Sequence, residues 1–196
     1  PALGYQGGVR AFQKMSEAYG TEVSEVQALK IRNDWRDANA PIVQLWVDVE
    51  KAARNAISYT GQAYDAAKGT FRVVNGDLLF KLPSGRILSF PEASLTQGQR
   101  LMEINYKGMN NHTHRWGEIK AYGGSLVQSI TQAVARDILA EAILRLEAAN
   151  YPVVLHVHDE IVGDVPNDFG SLEEFERLMC VLPDWAAGLP IEAEGY

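Results

Sequence analysis

The chain has 196 residues, enough for one domain with a sizeable hydrophobic core. Its 46% hydrophobic and 22% charged residues are those of an ordinary globular protein. A formal net charge of -7 argues against a self-sufficient nucleic-acid-binding module, which carries a basic surplus, but leaves room for a piece of a larger nucleic-acid enzyme whose basic surfaces lie elsewhere.

Gly4-Tyr5-Gln6-Gly7-Gly8 reads as the end of one element. Val9, Phe12 and Met15 then share a face, which predicts a helix over 8–19 stopped by Gly20. Ser24 and Gln27 stand at capping-box spacing, so a second helix opens there and runs to Ala38. Asn39-Ala40-Pro41 ends it and starts a third, because proline is tolerated only in a helix's first turn. The third helix runs to Tyr59 with Ile42, Leu45, Trp46, Val49 and Ala53 on its apolar face, and Gly61 closes it.

The texture then changes. Strand formers gather at 71–74, 78–82 and 86–89, with Asn75-Gly76 as a two-residue hairpin signal and Pro83-Ser84-Gly85 as a second turn. This predicts a small antiparallel meander. Residues 97–124 mix polar and aromatic side chains with Arg100, Lys107, Arg115 and Lys120, and read as irregular. Residues 125–149 carry the longest helical pattern: Leu126, Ile130, Val134 and Ile138 repeat every four, joined by Val127, Leu139, Ile143 and Leu146. Such a helix spans roughly 38 Å. Asn150-Tyr151-Pro152 ends it, and 153–162 reads as a buried hairpin with His158, Asp159 and Glu160 at its bend. Ser171 caps a last helix to 181, with Glu173 and Glu174 in its first turn and Cys180 in its apolar pattern. Leu189 to Ile191 reads as a final strand. The fold class is α+β: a helical portion over 1–67, then a portion over 68–196 with a small antiparallel sheet, the long helix and the hairpin.

Cys180 is the only cysteine, which excludes an intramolecular disulfide and a cysteine-built zinc site. No apolar run reaches the ~20 residues of a membrane span. No signal peptide opens the chain, so a cytoplasmic protein is expected.

Several constellations could carry chemistry. Two carboxylates at a bend, Asp159 and Glu160, suit a hard divalent cation such as Mg²⁺ or Mn²⁺, which takes oxygen ligands. The same residues also suit a solvated turn. Gln128, Gln132 and Arg136 lie four apart and share a helix face, either as a solvated face or as donors and acceptors across a nucleic-acid groove. His156 and His158, two apart on a strand, share a face, and His112 and His114 repeat the spacing. Imidazole and carboxylate are zinc ligands, so a zinc-dependent hydrolase is one reading and a solvated loop at His112 and His114 the other. Tyr5 among glycines stacks on a base or punctuates a turn.

Together these segments resemble the family A DNA polymerases, the bacterial DNA polymerase I type, and among them the bacteriophage members. Val157-His158-Asp159-Glu160-Ile161-Val162 is similar to motif C. Tyr122-Gly123-Gly124 through Gln132 to Asp137 is similar to the helix before it. Leu3-Gly4-Tyr5-Gln6-Gly7-Gly8-Val9 is similar to the end of motif B, in the fingers, and Leu82-Pro83-Ser84-Gly85-Arg86 to a segment of phage members. The resemblance runs the length of the chain in the family's order.

It implies template-directed nucleotidyl transfer from a deoxynucleoside triphosphate to a primer 3′-hydroxyl by two metal ions, with primer–template DNA and the nucleotide as partners. By the same resemblance Asp159 binds the catalytic metals, Glu160 assists it, and His158 lies near the primer terminus. Gln132 contacts the minor groove of the primer–template, Gln128 and Arg136 continue that DNA-binding row, and Tyr5 sits beside the templating base. Residues 1–67 become the C-terminal part of the fingers and 68–196 that of the palm. The motif A aspartate and the arginine and lysine of motif B belong upstream of Pro1. The 196 residues alone are therefore expected to be inactive and to need the upstream polymerase portion. A severed fingers region also leaves apolar surface through which the piece can self-associate. The zinc hydrolase and a non-catalytic DNA-binding remnant or subunit are the alternatives.

Overall fold

A computed structural model describes residues 2–98, 102–110 and 113–196; Arg100 and His112, singled out above, lie outside the described residues. Within them the fold is α+β, with five α-helices and nine strands in three antiparallel sheets. The chain divides into two compact units, one of Pro1–Leu82 with Arg86–Ile130 and one of Pro83–Gly85 with Thr131–Tyr196.

In the first unit, helices α1 (Val9–Ala18), α2 (Glu25–Ala38) and α3 (Ala40–Ser58) follow their sequence signals. The α2 capping box is formed: the Gln27 N–H donates to Ser24 Oγ at 3.3 Å and the Ser24 N–H donates to Gln27 Oε1 at 3.1 Å. At the α2–α3 junction Asn39 Nδ2 donates to the Trp35 carbonyl at 2.8 Å, and Pro41 sits in the first turn of α3. Trp46, Val49, Ala52, Ala53 and Ala56 are the buried side of α3. Ile42, expected on that face, is exposed, because it belongs to the first turn, before the helix reaches the core.

Strands β1 (Ala63–Ala66), β2 (Gly69–Val74), β3 (Asp77–Lys81) and β4 (Ile87–Phe90) form a meander in sequence order, and β1, β2 and β3 contact α3. Val74 pairs with Asp77, which leaves Asn75-Gly76 as the two-residue turn; both have positive φ, 52° and 89°, as a type I′ turn requires. Phe71, Leu78, Phe80, Leu82 and Phe90 are buried, and the cross-strand rings of Phe71 and Phe80 are 4.5 Å apart.

The stretch expected to be irregular instead holds a second sheet, β5 (Ser94–Gln97), β6 (Met102–Met109) and β7 (Trp116–Ala121). Its strand character was hidden by cross-strand charges on the exposed face. Lys107 stands opposite Glu118, and Lys120 Nζ reaches Glu103 Oε2 at 2.6 Å. Ile104 and Asn105, successive on β6 and so on opposite faces, are both buried.

Helix α4 spans Gly123–Ala148, its last residues from Thr131 belonging to the second unit. That unit continues with β8 (Val153–Val157), β9 (Glu160–Gly163) and α5 (Leu172–Cys180). Tyr151 is its hub. The ring is buried edge-on against Phe169 at 5.0 Å and Phe175 at 5.4 Å. Its hydroxyl donates to Glu174 Oε2 at 2.7 Å and accepts from the Ser171 N–H at 3.2 Å. Ser171 in turn caps α5, its Oγ accepting from the Glu174 N–H at 3.1 Å. Cys180, expected in the core, is half-buried. The strand expected at 189–191 is absent; Pro190 has no N–H to give to a ladder, and the chain forms only a 3₁₀ turn at Asp184–Ala186. No helix among the described residues is long and apolar enough to cross a membrane.

Candidate active site

Val157 pairs with Glu160 across β8 and β9, so His158 and Asp159 form the two-residue turn and Glu160 opens β9. The hairpin read from the sequence is therefore present, with both carboxylates at its bend. Two details differ from expectation. The hairpin is exposed rather than buried: Val154, Leu155, Val157 and Val162 are all open to solvent, because no third strand joins the ribbon among the described residues. His158 is a turn residue, with φ 53°, while His156 is in the strand opposite Ile161. The two imidazoles thus do not share a strand face.

His114, the described member of the other pair, is in an exposed loop with φ 52°. No three His, Cys, Asp or Glu side chains gather into a metal-holding group among the described residues, which leaves the zinc reading without a site there.

Asp159 and Glu160 line a cavity of about 620 Å³ within the second unit, as do Tyr151, Phe169 and Phe175. Adjacent exposed carboxylates fit Mg²⁺ or Mn²⁺ as one side of a site. Mg²⁺ is commonly held by one or two carboxylates, with substrate phosphates and water filling its other positions. On α4, Gln132 and Arg136 are exposed and Gln128 is half-buried, so all three present polar groups on the helix surface.

In the first unit, Tyr5 is half-buried in a turn over residues 2–6, closed by the Gln6 N–H to the Leu3 carbonyl at 3.3 Å and the Gly7 N–H to the Ala2 carbonyl at 2.9 Å. Sequence reasoning missed what holds this turn. Gln6 Oε1 accepts from the Gly124 N–H at 2.8 Å, and Glu50 Oε2 accepts from the Gly123 N–H at 2.8 Å. Two of the four N–H groups that a helix start leaves unpaired are thus capped by residues far away in the chain. Arg36 Nη2 donates to the carbonyls of Gln6 and Gly7 at 3.4 and 3.5 Å. Its guanidinium lies over the Trp46 ring, 5.8 Å from the centroid, and Trp46 stacks on Trp35 at 5.9 Å. Partial burial, and then the neighbouring charge of Arg32, lower the Arg36 pKa. The one hint in the sequence was the paired glycines: a Cβ at Gly123 would strike the Trp46 carbonyl, and one at Gly124 the Tyr5 carbonyl.

Along its whole length the chain is 39% identical, over 197 aligned residues, to a DNA polymerase of Bacillus phage SP02. It is homologous to a segment of a phage DNA polymerase. That segment is 30% of the phage protein's length. The shared stretch includes the Tyr5 turn, α4 and the His158-Asp159-Glu160 hairpin alike. No protein-family model and no solved structure matches the chain.

Proposed function

We propose that these residues are the C-terminal fingers-and-palm part of a family A DNA polymerase, residues 1–67 completing the fingers and 68–196 the palm. The observation that carries this reading is the pair Asp159 and Glu160 at the exposed bend of β8–β9, in a chain homologous to a phage DNA polymerase. The reaction is attack of a primer 3′-hydroxyl on the α-phosphate of a deoxynucleoside triphosphate chosen by a DNA template: the hydroxyl loses its proton, the new phosphodiester forms, and the bond between the α- and β-phosphates breaks to release pyrophosphate.

Asp159 and Glu160 would hold Mg²⁺ or Mn²⁺ through oxygens that, ionised, only accept. The cation, when bound, supplies Lewis acidity toward phosphoryl oxygens. His158, at the tip of the same turn, donates from its ring to the primer terminus. Gln128 and Gln132 carry amides that both donate and accept. The minor groove offers purine N3 and pyrimidine O2 acceptors at every base pair, so donor contacts to these atoms hold the duplex without reading it, which a copying enzyme needs. Arg136 adds a cation to the same row. Tyr5 offers a flat ring beside the templating base.

One carboxylate pair holds one side of the reacting phosphate, and no third carboxylate joins it among the described residues. The complementary carboxylate and the cations that grip the triphosphate come from an upstream portion of the polymerase. A polypeptide of these 196 residues is expected to extend no primer, and mixing with that upstream portion to restore extension. Extension by the 196 residues alone would overturn this division of labour. The exposed apolar residues of β8 and β9 also favour self-association of the isolated piece.

A further inference from the structure

We propose that Gln6 is the positioning residue for Tyr5, tying the Tyr5 turn to the first turn of α4; the inference rests on the reading of Tyr5 as the residue beside the templating base. Besides its N–H bond to Leu3 within the turn, Gln6 is bonded to other segments at two of its groups. Its side-chain carbonyl accepts from the Gly124 N–H at 2.8 Å, and its backbone carbonyl accepts from Arg36 at 3.4 Å. The Arg36 guanidinium is itself braced over Trp46.

The turn needs such a tie. Gln6 has φ 65°, in the left-handed region that side chains other than glycine and asparagine rarely adopt. Among the described residues, two backbone bonds close the turn from within. The approach of the two segments is close enough that a Cβ at Gly124 would collide with the Tyr5 carbonyl and crowd the Gln6 Cβ. A rigid helix start, held in addition by Glu50 on α3, therefore dictates where residue 5 stands. Removing the Gln6 acceptor frees the turn while leaving Tyr5 itself intact.

The test uses the whole polymerase containing these residues, with primer–template and dNTP. Gln6→Met keeps the length and removes the acceptor; Gln6→Glu keeps an acceptor for the Gly124 N–H. Gln6→Met should raise the KM for the templated dNTP by about three- to tenfold, the scale of one lost part-buried hydrogen bond, with kcat changed less and misincorporation increased. Gln6→Glu should restore both. Ser24→Ala, which removes the α2 cap without touching the turn, controls for lost stability and should leave the KM alone. Tyr5→Ala separates the two claims. If Tyr5→Ala raises KM and misincorporation while Gln6→Met does neither, Gln6 does not position Tyr5. If Tyr5→Ala also changes nothing, the reading of Tyr5 falls and this proposal with it. If Ser24→Ala raises KM as much as Gln6→Met, the effect is one of stability and the proposal is overturned.

Discussion

Replacing His158 with glycine separates function from folding at the hairpin tip. His158 occupies the first of two turn positions with φ 53°, while Asp159 is not in the positive-φ region. A positive φ at that position suits glycine, which carries no Cβ. A side chain there costs roughly 1–2 kcal/mol of backbone strain. Glycine relieves the strain but gives back about 0.5–1 kcal/mol in chain entropy. The His158 side chain is exposed, so no packing is lost. His158→Gly should therefore leave stability unchanged or raise it by up to about 1.5 kcal/mol. A bond from the imidazole to a charged primer phosphate is worth about 1.5–3 kcal/mol, so incorporation should fall roughly ten- to hundredfold. Urea unfolding and single-turnover nucleotide incorporation on the same protein measure the two sides. An unchanged rate would mean that His158 is only a turn residue. A stability loss above about 1 kcal/mol would mean that the side chain packs, and the strain argument would be wrong.

Two further outcomes follow from the fold. Phe80→Ala, at a fully buried ring tilted against Phe71, should cost about 3–5 kcal/mol and disorder the β1–β4 meander, read by hydrogen exchange at β2 and β3. Tyr151 has its pKa raised, chiefly by burial and then by its bond to Glu174, above the ordinary 10.0. The neutral phenol is thus favoured in the folded state. Its contribution is complete below pH 10.0 and is lost as pH rises through the folded value, where the unfolded chain has already released its proton. Urea midpoints from pH 8 upward should fall on this alkaline limb, and the fall should be shallower in Tyr151→Phe; equal slopes would remove Tyr151 from the account.

Local signals were legible in the sequence where they are chemically complete within a few residues. Ser24 and Gln27 form their reciprocal cap, Asn75-Gly76 turns β2 into β3, and Ser171 caps α5. The bend carrying Asp159 and Glu160 was legible for the same reason, since apolar runs on both sides of a polar triplet demand a hairpin. The β5–β7 sheet was not, because Glu103, Lys107, Glu118 and Lys120 pair across strands and break the apolar alternation that reveals a strand. The exposure of β8 and β9 was hidden too: apolar composition signals that a surface is meant to be covered, not that these residues cover it. The supports of Tyr5 were the least visible, because Gln6 caps a helix 118 positions away and Glu50 one 73 positions away. No local pattern encodes such pairs.

In the proposed function Asp159 and Glu160 hold the metal side of nucleotidyl transfer. The most direct measurement is single-turnover incorporation by the whole polymerase carrying Asp159→Asn, which keeps the side chain's shape and removes its charge, alongside the affinity of the same protein for primer–template. Incorporation should fall by at least ~10³ while DNA affinity stays within a few-fold, as expected for a group that acts in the transition state rather than in binding. Incorporation at the unsubstituted rate would contradict the claim.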